Sequence, residues 1–147
     1  MISKSINASI ASAMKAGDKV RVAVLRLLSS ELHNEWISKQ RDLSYEEEIL
    51  IVRKEIKKRQ DAILIYEKAG KSDRVDIEKR EIQILQEFLP AELSYEEIGK
   101  LAEESISRLN ASYSDLGKVI GDVKSKVGVR AEGAKIAEIV KQKLLNS

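Results

Sequence analysis

Pro90 is the single proline of this 147-residue sequence. On either side of it, apolar side chains recur at steps of three and four. Proline is the strongest local helix breaker, and a three-four apolar repeat places one stripe on one helix face. Together these features admit helix almost everywhere. The single Phe among many Ala, Leu, Ile, Lys and Glu residues also favours helix over sheet. The expected fold class is all-α.

Seven helices follow from the repeat. The first covers about 3–16 and stops at Ala16-Gly17-Asp18, with Gly at the C-terminal cap. The second, about 19–38, carries the apolar arc Val20, Val24, Leu25, Leu27, Leu28, Leu32 and Trp36. The third opens at Leu43-Ser44-Tyr45-Glu46-Glu47, where Ser44 and Glu47 have the spacing of a capping box. It runs to about Lys68 on Ile49, Val52, Ile56, Ile63 and Tyr66. The fourth, about 73–89, turns Ile77, Ile84, Leu85, Phe88 and Leu89 inward, and Pro90 ends it. The signal Leu-Ser-Tyr-Glu-Glu recurs at 93–97 and opens the fifth helix, about 95–109. The flanking sequences differ, so the recurrence is one start signal used twice. Two more helices lie near 114–126 and 131–146. Leu109 counts as core in the fifth, and Leu116, Val119, Ile120 and Val123 in the sixth. Pro90-Ala91-Glu92-Leu93 reads as a linker between an N-terminal four-helix domain, 1–92, and a C-terminal three-helix bundle, 93–147.

Composition narrows the chemistry. With no Cys, disulfides, thiolate catalysis and Cys-based zinc sites are excluded. With one His, His33, multi-His metal sites and a His relay are not expected. No metal and no cofactor is expected. The net charge of +2 makes no global case for nucleic acid. The charge is uneven, however: residues 1–41 hold seven basic and three acidic side chains, and residues 110–147 hold seven and four. No apolar run approaches the ~20 residues that span a bilayer. The stretch from Ser3 to Lys15 is Ser-rich and free of acid, like a transit peptide. It lacks Arg and runs straight into the next helix, so it is expected to be the first helix of the mature fold. A cytoplasmic, membrane-free protein is the expectation.

Several constellations reduce to structure. Gly70-Lys71-Ser72 ends like a phosphate-binding loop, but the upstream Gly would fall at Ile65 and no strand precedes it. Glu55 with Arg59, Glu78 with Lys79 and Glu138 with Lys141 read as solvated pairs. His33 falls outside the apolar arc and reads as an exposed surface residue, while Trp36 reads as core. Two arginines interrupt apolar stripes: Arg21 on the second helix and Arg59 on the third, as Glu81 does on the fourth. A buried guanidinium demands a carboxylate. Arg59 or Arg21 is therefore expected to pair with Glu81, or with Glu31 or Glu35.

The segment 115–133 is the remaining anomaly. Gly117 and Gly121 lie four apart on one helix face, and each costs a helix roughly 1 kcal/mol relative to Ala. Such a pair implies close approach by another helix or by a nucleic-acid backbone. Lys118, Lys124, Lys126 and Arg130 surround the glycines. The helix opening near Ala131 offers free amides and a positive dipole end. Close helix packing beneath an ordinary basic surface explains these residues equally well.

The chain resembles the YqeY family along its whole length. The resemblance rests on Met14-Lys15-Ala16-Gly17-Asp18-Lys19 with Arg21, on Leu25-Arg26 and Leu28 to Glu35, and on Glu55-Ile56-Lys57-Lys58-Arg59. It continues through Tyr66-Glu67-Lys68-Ala69-Gly70, Ile84-Leu85-Gln86-Glu87-Phe88-Leu89-Pro90, Gly117-Lys118-Val119-Ile120-Gly121 and Gly128-Val129-Arg130-Ala131-Glu132-Gly133. Trp36 and the Ile120-Gly121 pair depart from it. That family is similar to the C-terminal tail of the GatB subunit of glutamine-dependent aminoacyl-tRNA amidotransferase, and to domains appended to some glutaminyl-tRNA synthetases. The resemblance implies a tRNA-binding accessory module. The carbon–nitrogen ligase activity associated with the family, with glutamine as amido donor, would reside outside this chain, which is expected to have no independent enzyme activity. Carried over, the RNA-binding residues would be Gly117, Lys118, Gly121, Lys124, Lys126, Arg130, Gly133 and Lys135. The partners implied are tRNA and an aminoacyl-tRNA synthetase or amidotransferase. The alternative is a protein–protein adaptor docking on an enzyme of aminoacyl-tRNA metabolism.

Overall fold

The computed structural model describes residues 1–146. The protein is all-helical. Its α-helices are α1 (Ile2–Ala16), α2 (Lys19–Lys39), α3 (Tyr45–Lys68), α4 (Ser72–Gln86), α5 (Tyr95–Leu109), α6 (Leu116–Val127) and α7 (Gly133–Leu145). Short 3-10 turns at Tyr113–Asp115 and Gly128–Arg130 flank α6. The helices gather into two compact units, Met1–Leu89 and the residues from Pro90 onward.

Local chemistry sets the helix ends. Gly17 at φ 70° ends α1, and Asp18 then caps α2 by accepting the Arg21 amide at 3.1 Å. Both capping boxes form. Ser44 Oγ accepts the Glu47 amide while the Glu47 carboxylate accepts the Ser44 amide, and Ser94 and Glu97 do the same.

In the first unit, α3 and α4 pack as an antiparallel hairpin, α1 lies against α2, and α2 lies against both α3 and α4. Val24, Leu25 and Leu28 of α2, Ile49 and Val52 of α3, and Ile84 and Leu85 of α4 are fully buried. Each contributes about 1.5–3 kcal/mol by leaving water. Two charged residues share this interior. Glu48 is 0% exposed and aims its carboxylate at the start of α1. It accepts the Ile2 amide at 3.2 Å, the Ser3 amide at 2.6 Å and the Ser3 hydroxyl. No side chain from its own segment caps α1, so a distant carboxylate satisfies its first orphan amides. Arg59 is also buried. Its Nε meets Glu81 at 2.9 Å and its Nη1 meets Glu55 at 3.0 Å.

These contacts correct several expectations. Glu55 and Arg59 form a pair, but a buried one, because both lie on the seam that α3 turns to the core. The pairing expected of Arg59 or Arg21 with Glu81 is made by Arg59, while Arg21 does not reach Glu81, Glu31 or Glu35. It is only half-buried and forks onto Glu87, with the nearest contact at 2.8 Å, and Asp18 lies 3.5 Å away. Those carboxylates hold its guanidinium above its ordinary value, the Glu87 hydrogen bond most of all. Glu78 and Lys79 are chain neighbours and point apart. Leu27 and Trp36 lie at the rims of the buried arc of α2 and are 46% and 47% exposed. Trp36 stacks on His33, itself exposed, with centroids 5.6 Å apart. Ile77 is exposed, and Val75 takes the inward position near the α3–α4 turn. The helix of α4 ends at Gln86, short of Leu89.

The second unit has its own core. Ile98 and Ala102 of α5, Val119, Val123 and Val127 of α6, and Ile136, Ile139, Val140 and Leu144 of α7 close around one another. Leu109 is exposed and lies outside it. The segment expected as a linker is tied down at its end. The Leu93 amide donates to the Arg130 carbonyl at 2.9 Å, and Lys135 Nζ donates to the Leu93 carbonyl at 3.0 Å.

Candidate functional site

Helix α6 buries Val119, Val123 and Val127 at steps of four. The same periodicity turns Gly117, Gly121 and Lys124 to the opposite face, with Lys118 and Ser125 beside them. Gly117, Lys118, Gly121 and Lys124 are all exposed. A Cβ built on Gly117 or Gly121 would meet nothing within 4 Å. Close packing against another helix of the unit therefore does not explain these two glycines. Their backbone lies open to solvent, with ammonium groups beside it.

Gly128, at φ 61° and ψ −131°, ends α6 in a backbone conformation that a side chain would strain. The chain then turns into α7, whose N-cap residue, Glu132, makes no side-chain cap. Lys124 reaches to this end: its Nζ lies 3.2 Å from the position of a Cβ on Gly133. Lys124 and Gly133 thus join the face that carries Gly117, Lys118 and Gly121.

The other three candidates are engaged elsewhere. Lys126 lies on the side of Asp122, 3.7 Å from its carboxylate. Asp122 also accepts Ser105 Oγ at 2.6 Å and pairs with Arg108. These donors, Ser105 first, hold its carboxyl below its ordinary value. Arg130 folds back on the C-terminus of α6, its Nε donating to the Val127 carbonyl at 3.1 Å and its Nη2 to the Lys126 carbonyl at 2.8 Å. It caps a helix rather than reaching outward. Lys135 is half-buried, bound to the Leu93 carbonyl and 4.5 Å over the Tyr95 ring. Lys126 pairs within the segment at a spacing of four, Arg130 binds backbone one turn back, and Lys135 reaches Leu93, 42 positions away. Among the described residues, no group of three or more His, Cys, Asp or Glu side chains converges as a metal site would require.

Fold and site define a small all-helical protein that presents a basic, glycine-bearing helix face to solvent. The family model described as Yqey-like protein matches residues 3–144, and the chain belongs to the YqeY family. No curated protein matches the chain significantly.

Proposed function

We propose that this chain is a cytoplasmic tRNA-binding accessory module whose second unit is related to the tail of tRNA-dependent amidotransferase. The observation that carries the reading is the open α6 face. Bare backbone at Gly117 and Gly121 lets a phosphate chain approach closely, and Lys118 and Lys124 neutralise it. The uncapped α7 N-terminus beside Lys124 adds amide donors and a positive dipole end. Contacts of this kind read the shape of folded RNA rather than its bases. The ligase chemistry associated with the family belongs, on this reading, to a partner enzyme.

The test is filter binding of tRNA to the full chain and to a Lys118→Glu/Lys124→Glu variant across a salt series. Binding should weaken steeply with salt, and the variant should lose about two units of the log–log salt slope. Absence of binding near about 100 mM salt, or equal slopes for both proteins, would overturn the reading. A second reading, a protein adaptor, is favoured by Leu64 and Ile65, exposed near the α3–α4 turn. A stable protein partner retained after nuclease treatment would favour it.

A further inference from the structure

A groove of about 320 Å³ opens in the first unit where α1 crosses the far half of α2, at the small end of the range for ligand pockets. His33 and Trp36, one helical turn apart, stack along its wall with their rings 16° from parallel. The indole N–H donates to Asp42 at 3.2 Å, which orients the ring and leaves only its π surface to offer. Trp36 nevertheless remains 47% exposed, although stacking and burial are the usual fate of so large an apolar ring.

Part of the polar lining is unengaged, although Ser3 is spent on Glu48. Among the described residues, Lys4 makes no ion pair, and the side chains of Asn7 and Ser29 make no hydrogen bond. Asp42, the carboxylate of the lining, already receives the indole. The groove therefore asks for a flat ring with a polar edge and an attached anion. An aliphatic side chain from a protein partner would meet neither the ammonium nor the amide. We infer that this groove binds a single unstacked nucleobase, laid on the exposed indole surface of the His33–Trp36 stack, with its 5′-phosphate on Lys4. Base-on-aromatic stacking tolerates any base, since every base has a π face. The inference goes beyond the proposed tRNA contact and does not require it.

Trp36 is the only tryptophan in the sequence, so its emission reports on the groove directly. The full chain is titrated with AMP and, separately, with a short single-stranded oligoriboadenylate. The expected result is saturable quenching that weakens by roughly tenfold in each of His33→Ala and Lys4→Glu. Circular dichroism checks that these surface variants stay folded. Quenching by AMP as well as by the oligonucleotide assigns the site to nucleotides in general, and quenching by the oligonucleotide alone assigns it to an RNA strand. No saturable change with either ligand overturns the inference, as does quenching unaltered in both variants. If tRNA binds while neither AMP nor the oligonucleotide changes the Trp36 emission, this site falls and the α6 reading stands. If AMP quenches while tRNA fails to bind, the site stands without that reading.

Discussion

Glu48 shows how much one side chain can decide. It follows Glu46 and Glu47, exposed and half-buried respectively, yet it is fully buried and holds the start of a helix more than 40 positions away. Its register is visible afterwards: 48, 52, 55 and 59 step by four, three and four along α3, mixing three charged residues with Val52. The three-four stripe of apolar residues on α3 does not include Glu48. Removing the carboxylate leaves two helix-terminal amides without their acceptor, a loss of about 1–3 kcal/mol for a buried group. Glu48→Ala should therefore lower the unfolding free energy by about 2–3 kcal/mol in urea, and Glu48→Gln, which keeps one acceptor, by less. A loss below about 0.5 kcal/mol for the alanine variant would show that solvent replaces Glu48 at the α1 terminus.

At the scale of elements, α6 carries a cost that its own unit does not explain. Gly121 lies mid-helix, exposed, at a position where a Cβ meets open space. Alanine there should stabilise the fold by about 0.5–1 kcal/mol through helix propensity. If the bare backbone serves RNA, the same Gly121→Ala change should weaken tRNA binding as thermal stability rises. A variant that is more stable and binds equally well would remove the glycine from the proposed contact. The capping boxes of α3 and α5 illustrate the opposite case, in which five residues specify a helix start whatever surrounds it.

Across the whole molecule, acid should act on both units. Asp18 and Glu47 in the first and Asp122 in the second are all held below their ordinary values of 3.8, 4.5 and 3.8. The chief causes are the Arg21 amide for Asp18, the Arg41 hydrogen bond for Glu47 and the Ser105 hydroxyl for Asp122. A carboxyl depressed in the folded state binds more protons when unfolded. Its contribution is present above the unfolded value and is lost as pH falls through the folded one. Glu78 works in the reverse direction. Burial, then Glu81, raise its carboxyl above 4.5, so its stabilisation is full below that value and fades as pH rises. Three depressed groups on three different helix ends or faces outweigh one raised group. The urea midpoint should fall as pH drops below about 4, and Glu47→Gln should flatten that fall. A midpoint that rises instead would place control with Glu78.

Periodicity and punctuation made the helices legible. Apolar steps of three and four, Gly17 and Gly70 after helices, Ser44 and Ser94 before them, and Pro90 beyond α4 act through near neighbours, so sequence alone carries them. Arg59 was legible as an interruption that had to be paired, because a lone buried charge is too costly to keep. What tertiary structure decided is where side chains at the rims of those stripes go. Trp36 and Ile77 lie outside, Glu48 and Glu55 inside, and Lys126, Arg130 and Lys135 are drawn onto Asp122, the end of α6, and Leu93. The places of Glu48 and Lys135 depend on what a distant segment brings within a few ångströms, whereas Lys126 and Arg130 are held by α6 itself; a helical repeat fixes which residues share a face without fixing what that face meets.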